Sequence, residues 1–268
     1  MTCADPRLDC ERAVVLLGRA GYGGGAQQEL AQLRDRLAAA LTGAPVHVEA
    51  ACVDRAGPGL PQALDACLRA APRARLVVLQ PVFVPVDPAL LRWLHKVAQR
   101  WRHRQPQPET LPRIVFAPAL GALDGLAPLL ARSLAQAQDL PDVTQTQPKQ
   151  WERDPRAWSE VPPLARHLLL CLGPRCTALG AAGLWAQLRA RLQVDPELKK
   201  TVMPLHTSCQ YPCNLGPLAI SYPDGHWFGH LDVQAIDVLV DAGLRPEGAA
   251  RRYVVHRTAG KQGVISGA

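Results

Sequence analysis

Cys171-Leu-Gly-Pro-Arg-Cys176 and Cys209-Gln-Tyr-Pro-Cys213 are the two stretches whose reading decides the fold. Four thiols stand there in two close pairs, the first with four residues between its members and the second with three. Between the pairs lies enough chain for a helix and a strand, so a folded unit, and not a single loop, has to build the site. Four thiolates are the usual complement of an iron–sulfur cluster or a structural zinc. Spacing alone leaves both metals open. Disulfide exchange is disfavoured because that chemistry usually runs on Cys-x-x-Cys. A zinc ribbon would have a shorter connection between its pairs.

The elements around the thiols read outward from them. Arg166-His-Leu-Leu-Leu-Cys171 is a strand whose end delivers the first thiol. Residues 179–192 form an amphipathic helix with Leu184, Leu188 and Leu192 in line. Residues 200–205 are a second strand, and Cys209 and Cys213 follow in a loop. Residues 217–222 and 227–231 flank Pro223-Asp-Gly225, a hairpin with Asp-Gly at its turn. Asp232 caps a last helix that Gly243 stops. Strand, helix, strand, hairpin, helix is a thioredoxin-like order.

Three motifs carry a family resemblance. The first thiol pair, the second pair followed by Asn214-Leu-Gly-Pro217, and Ser221-Tyr-Pro-Asp-Gly-His-Trp-Phe228 resemble the thioredoxin-like [2Fe-2S] ferredoxins. The related cluster subunit of respiratory complex I is similar. The resemblance spans about residues 165–244. It implies a [2Fe-2S] cluster held by Cys171, Cys176, Cys209 and Cys213, and one-electron transfer with a redox partner protein.

A chain of 268 residues fits about two domains. No run of eighteen apolar residues occurs, so no membrane span is expected. The first ten residues hold acids and a proline where a signal peptide needs a basic and then an apolar run. The expected compartment is the cytoplasm, where clustered cysteines read as ligands and not as disulfides. Cys3, Cys10, Cys52 and Cys67 are scattered and read as small buried or free thiols. The formal charge of +7 comes without a basic stripe interleaved with aromatics, which argues against a nucleic-acid partner. Residues 245–268 carry several basic side chains and read as a solvated tail, with docking to an acidic redox partner as the sharper alternative.

Towards the N-terminus, strand and helix alternate. Apolar runs at residues 12–18, 45–53, 76–84 and 113–117 read as strands. Residues 26–41, 60–71, 88–102 and 123–138 have helical spacing. This pattern predicts a parallel sheet with helices on both faces. Ligands of such sheets sit at the carboxyl ends of the strands, which draws attention to Arg19, Asp54 and the Pro85-Val-Asp87 turn. The Gly21-Tyr-Gly-Gly-Gly25 loop lacks the spacing of a dinucleotide fingerprint or a P-loop. His47 and Glu49 share one strand face, as a ligand pair or as polar positions of an edge strand. His95 and His103 read as surface residues.

The glycine loop, Asp54-Arg-Ala-Gly-Pro-Gly-Leu-Pro61 and Val77-Val-Leu-Gln-Pro-Val-Phe-Val84 resemble the sirohydrochlorin chelatases of the CbiX/SirB type over about residues 11–138. The resemblance implies insertion of cobalt or iron into a tetrapyrrole by two histidines and an acid. Here Arg19 stands at the first histidine position and the second falls near Ala89, while the acid is kept as Asp54. A guanidinium cannot be a metal ligand, but it is suited to a tetrapyrrole carboxylate. Residues 140–163 are rich in turn chemistry, and Trp151 and Trp158 suggest that this linker packs onto a domain.

The expected architecture is therefore α/β. A chelatase-like parallel-sheet domain (residues 1–140) is followed by a linker (141–163) and a thioredoxin-like ferredoxin domain (164–268). The expected function is electron transfer serving tetrapyrrole or cobalamin metabolism, with Arg19 and Asp54 contacting a tetrapyrrole or corrinoid. The chain then acts as an electron carrier rather than a catalyst, and no nucleic acid or membrane takes part. An active chelatase with a structural or regulatory cluster and a non-redox tetrapyrrole or metal carrier are the alternatives. A homodimer surface is a further role open to the first domain.

Overall fold

The structure is a computed structural model that describes residues 11–20, 25–41, 45–137, 140–143 and 154–258. Two sheets organise it. The first has four parallel strands, β1 (Arg12–Gly18), β2 (Val46–Cys52), β3 (Leu76–Pro81) and β4 (Arg113–Phe116), in the order β2-β1-β3-β4. Their side chains alternate between two faces. Ala13, Val15, Leu17, Val77 and Leu79 pack on one side with helices α2 (Leu60–Ala70) and α3 (Pro88–His103). Leu16, Val48 and Cys52 meet Leu30 of helix α1 (Gly25–Ala40) on the other. Helices on both faces are thus borne out.

Helix α3 shows why these residues take this shape. Asp87 caps it, accepting from the backbone N–H groups of Ala89 and Leu90 at 2.8 and 3.3 Å. Pro88 fills the first position, where a missing N–H costs nothing. Leu90, Leu94, Val97 and Trp101 recur on the buried face, and the Trp101 ring nitrogen donates to Asp65 of α2 at 2.8 Å. Arg100, Arg102 and His103 close the last turn, where cations complement the helix dipole.

Two expectations in this unit are corrected. β3 stops at Pro81 and does not reach residue 84, because a proline has no N–H for the ladder. The helix expected over 123–138 is a 3-10 turn, Leu120–Ala122, followed by α4 (Leu126–Ala135). Its Leu129, Leu130 and Leu134 are 54%, 56% and 73% exposed. The leucine spacing was that of a core-facing helix, but α4 covers neither face of the sheet.

The second sheet runs β6-β5-β7-β8-β9. β5 (Arg166–Cys171) pairs in parallel with β6 (Val202–Thr207) and antiparallel with β7 (Ala219–Tyr222), which forms the expected hairpin with β8 (His226–Phe228). α5 (Pro174–Ala178), α6 (Ala181–Val194) and α7 (Pro196–Thr201) lie between β5 and β6. α8 (Val233–Asp241) starts at Asp232, whose carboxylate accepts from the Ala235 N–H at 2.7 Å. Leu184, Leu188, Ile236, Leu239 and Phe228 share one core with Leu168 and Leu170. Truncating a buried side chain such as Phe228 to Ala typically costs about 3–5 kcal/mol.

The basic tail is corrected in part. Residues Gly248–Tyr253 form a 3-10 helix, and β9 (Val254–Arg257) extends the sheet beside β8. Ala250 and Tyr253 are buried in the core, so apolar positions within the Arg-rich run anchor it to the fold. Residues 259–268 of the tail lie outside the described residues, as does Trp151. Trp158 is 76% exposed and does not pack onto a domain. Among the described residues no helix is long and apolar enough to cross a membrane.

Candidate metal centre

Parallel pairing of β5 with β6 puts both carboxyl ends on the same side, with Cys171 opposite Thr207. The loop after β6 therefore passes beside the end of β5. Cys171 is the last residue of β5, Cys176 sits in α5, Cys209 follows β6, and Cys213 opens the 3-10 turn Cys213–Leu215. Cys171 and Cys176 are buried, Cys209 is exposed and Cys213 is intermediate. The fold sets the two loops that carry the four thiols against each other.

They close as two pairs. The Cys209 and Cys213 sulfurs are 3.2 Å apart, and Cys171 hydrogen-bonds Cys176. That bond pulls the Cys171 thiol down to about 6, against its burial, with the Gly173 and Gln210 N–H groups also donating to its sulfur. The same bond pushes Cys176 up, reinforced by burial and by the charge of Cys171. Burial, then the hydrogen bond with Cys209, raises Cys213, while the Arg175 guanidinium acts against both. Among the described residues no group of three His, Cys, Asp or Glu side chains is arranged to hold a metal ion.

Two glycines make the approach possible. A Cβ on Gly173 would stand 2.9 Å from both the backbone N and Cα of Cys209, so the two thiol-bearing loops touch backbone to backbone. A Cβ on Gly216 would stand 2.9 Å from the Cys176 sulfur. Backbone N–H groups aimed at sulfur, with glycines where a side chain would intrude, suit a site for thiolates.

The signature hairpin has a structural task. Arg166 of β5 donates to the Ser221 hydroxyl at 2.7 Å and to the carboxylate of Asp224 in the turn. Ser221 is fully buried, and its hydroxyl donates to the Leu244 carbonyl at 3.4 Å. The Tyr-Pro-Asp-Gly segment thus locks the hairpin to the strand that ends in Cys171.

The site lies against the first unit. The Arg55 N–H donates to the Leu172 carbonyl at 2.9 Å, and Ala178 packs on the core of α2 and α3. Arg175 lies over the Trp93 ring of α3, 4.6 Å from its centre. A cleft of about 560 Å³ opens along this seam, with Cys213 in its wall. Sequence reasoning missed the seam, because no local pattern marks Trp93 or Arg100 as neighbours of a thiol.

Arg19 and Asp54, at the carboxyl ends of β1 and β2, are brought together. Arg19 donates to one oxygen of Asp54 through Nε and Nη2, at 3.1 and 2.8 Å. The Ala20 N–H donates to the other at 3.3 Å. The Asp54 side chain is 5% exposed and that of Arg19 50%. Ala89 lies exposed in the first turn of α3. His47 and Glu49, on the edge strand β2, bond to each other at 2.9 Å. His95 and His103 are exposed as expected, with His95 stacked on Phe116 at 3.7 Å. Cys52 and Cys67 are buried, and burial pushes Cys67 up to about 12, leaving it inert as a thiolate.

A scan against protein-family models finds no match. A curated relative, "Ferredoxin, 2Fe-2S" of Aquifex aeolicus (strain VF5), is 26% identical over 100 residues, covering 34% of this chain and 90% of the relative. A solved structure of a thioredoxin-like [2Fe-2S] ferredoxin from Aquifex aeolicus is 25% identical, covering 36% of this chain and 96% of its own, with a TM-score of 0.34. A crystal structure of the wild-type form of such a ferredoxin from the same organism is 25% identical, covering 35% and 99%, with a TM-score of 0.33. Over about a third of its length, the chain is similar to ferredoxins that carry a [2Fe-2S] cluster.

Proposed function

We propose that this chain is an electron-transfer protein whose second unit holds a [2Fe-2S] cluster through Cys171, Cys176, Cys209 and Cys213. The observation that carries the reading is the grouping of the four sulfurs into two close pairs on adjoining loops. Two irons each taking two thiolates suit two pairs, whereas a tetrahedral zinc draws all four sulfurs to one point. The similarity to a [2Fe-2S] ferredoxin over 100 residues supports the same choice.

When bound, the cluster supplies reversible one-electron chemistry. The residues of the chain set its surroundings. The Gly173, Gln210 and Leu218 N–H groups donate to Cys171 and Cys176, which favours the thiolate forms. Burial of that pair keeps water off one side, while exposed Cys209 faces outward for a redox partner. The first unit docks what the cluster serves. An anionic tetrapyrrole or corrinoid is the finer reading, with the half-exposed edge of Arg19 as a contact and Asp54 holding it in place.

Anaerobic purification tests the proposal. The expected protein is brown, with about two iron and two sulfide per chain and a rhombic electron paramagnetic resonance signal after dithionite reduction. Colourless protein carrying stoichiometric zinc overturns it.

A further inference from the structure

The cleft along the seam is walled by groups that have one chemistry in common. Arg100 and Arg104 of α3 and Arg175 of α5 all line it, and all three are exposed. Among the described residues no carboxylate pairs with any of them. Arg100 and Arg175 both lie over the Trp93 ring, at 5.4 and 4.6 Å from its centre. The Trp93 ring nitrogen is buried without a hydrogen-bond partner. The side chain of Asn214 completes the polar wall next to Cys213.

Three guanidinium groups without a carboxylate partner around one hollow repel each other and are relieved by an anion, which a planar fork binds through two parallel hydrogen bonds. Guanidinium planes held on an indole also offer flat faces on which another ring can stack. The volume of about 560 Å³ falls within the range of about 300–1,000 Å³ typical of small-molecule sites. Domain seams are a preferred place for such sites.

We propose that this cleft binds a flat small molecule bearing phosphate or carboxylate arms, seated between Arg100, Arg104 and Arg175 and against Cys213. Its functional sense rests on the reading of Cys213 as a cluster ligand, since the ring then lies beside the redox centre. The arginines recognise phosphate and carboxylate alike, so two probes distinguish the sources: flavin mononucleotide for phosphate and coproporphyrin for carboxylate. Riboflavin, which has the flavin ring without the phosphate, reports what the anionic arm contributes.

The test is titration calorimetry on the full chain, after its iron and sulfide have been measured. One of the two anionic probes binds saturably, riboflavin binds at least about tenfold more weakly than flavin mononucleotide if that is the ligand, and the double variant Arg100→Ala/Arg104→Ala loses at least about tenfold in affinity. Arg34→Ala, which pairs with Asp35 on α1 and lines no part of this cleft, leaves affinity unchanged. In cluster-loaded protein the bound probe also shifts the electron paramagnetic resonance line shape. Failure of both probes to bind, or affinity unaffected by the double variant, overturns the site. Binding by protein that carries no iron leaves the site standing and sinks the cluster reading instead.

Discussion

The Arg175 guanidinium lies 4.6 Å from the centre of the Trp93 ring while also hydrogen-bonding Cys213. One side chain of the second unit therefore reaches both the first unit and a proposed cluster ligand. A cation over an indole face contributes roughly 0.5–1 kcal/mol at an exposed site. The contact thus couples the seam to the site without locking it.

Arg175→Ala is expected to lower the reduction potential of the cluster. Reduction adds negative charge, and a nearby cation stabilises the reduced form, so removing the cation makes reduction harder. A unit charge at about 4 Å is worth about 1 kcal/mol in water, equivalent to roughly 40 mV for a one-electron couple. Arg175→Lys keeps the charge and should recover most of the shift. Redox titration of the three proteins measures this, and an unchanged or higher potential in the alanine variant contradicts it.

Cys171, Cys176, Cys209 and Cys213 are expected to be separable from the other thiols by their spectra. Cys209→Ser or Cys213→Ser should bleach, shift or destabilise the visible absorption, because a proposed ligand is exchanged for a poorer one. Cys52→Ser and Cys67→Ser act on buried thiols in the other unit and should leave the spectrum as it is. Visible spectra and iron content of the purified variants decide the matter. A Cys213→Ser protein indistinguishable from wild type would remove that residue from the site.

Gly173→Ala is expected to disturb the site more than its single methyl suggests. The added carbon meets the backbone of Cys209 at 2.9 Å, and backbone cannot move aside as a flexible side chain can. Overpacking of this kind costs about 1–3 kcal/mol. Gly183, whose added Cβ meets nothing within 4 Å, is the control and lies in the first turn of α6, where alanine is favoured over glycine by at most about 1 kcal/mol. Thermal unfolding and iron retention should fall for the first variant and hold or rise for the second.

The parts that were legible share a cause. β1 and β5 matched residue for residue, because a continuous apolar run bounded by a charge and a turn admits little else. The spacing marked two pairs of thiols, and the structure closes each pair. α7 was missed although Asp195-Pro196 repeats the grammar of Asp87-Pro88: Asp195 accepts from the Glu197 and Leu198 N–H groups just as Asp87 does from its own. That signal was present and unused. β9 was hidden because Val254 and Val255 follow two arginines in a run read by charge. The seam had no local signal at all, since Arg175 and Trp93 meet only through the packing of α5 near α3.

Acid should weaken the hairpin clamp. The Arg166 hydrogen bond, and then its charge, hold Asp224 below the usual carboxylate range, whose unperturbed value is about 3.9. A folded-state pKa below the unfolded one gives stability that is present above about pH 4 and lost as pH falls through the folded value. Asp224 is 35% exposed, so solvent screening limits the effect to about 1 kcal/mol or less. Asp224→Asn should be less stable than wild type at neutral pH, with the gap closing below about pH 4. Thermal unfolding across that range tests this, and a gap that stays constant with pH counts against the clamp.

Arg19 and Asp54 give the last prediction, because their pairing bears on two roles. If the pair is a staple between β1 and β2, both substitutions cost stability, and the costs overlap. Asp54 is the more buried partner and accepts three hydrogen bonds, from Arg19 Nε, Arg19 Nη2 and Ala20 N–H. Asp54→Ala leaves the buried Ala20 N–H without its acceptor, and such an orphan costs about 1–3 kcal/mol. Arg19→Ala instead leaves a buried carboxylate without its cation. Each single variant should therefore unfold at lower denaturant than wild type, and the double variant should be less destabilised than the sum. A coupling of about 0.5–3 kcal/mol is the range for residues in contact. Tetrapyrrole docking adds a separate readout: in the Arg100→Ala/Arg104→Ala background, which removes the seam cleft as a site, Arg19→Ala would weaken any remaining coproporphyrin binding, whereas a staple alone would not when the fold is kept. Additive costs with unchanged binding would leave Arg19 neither role.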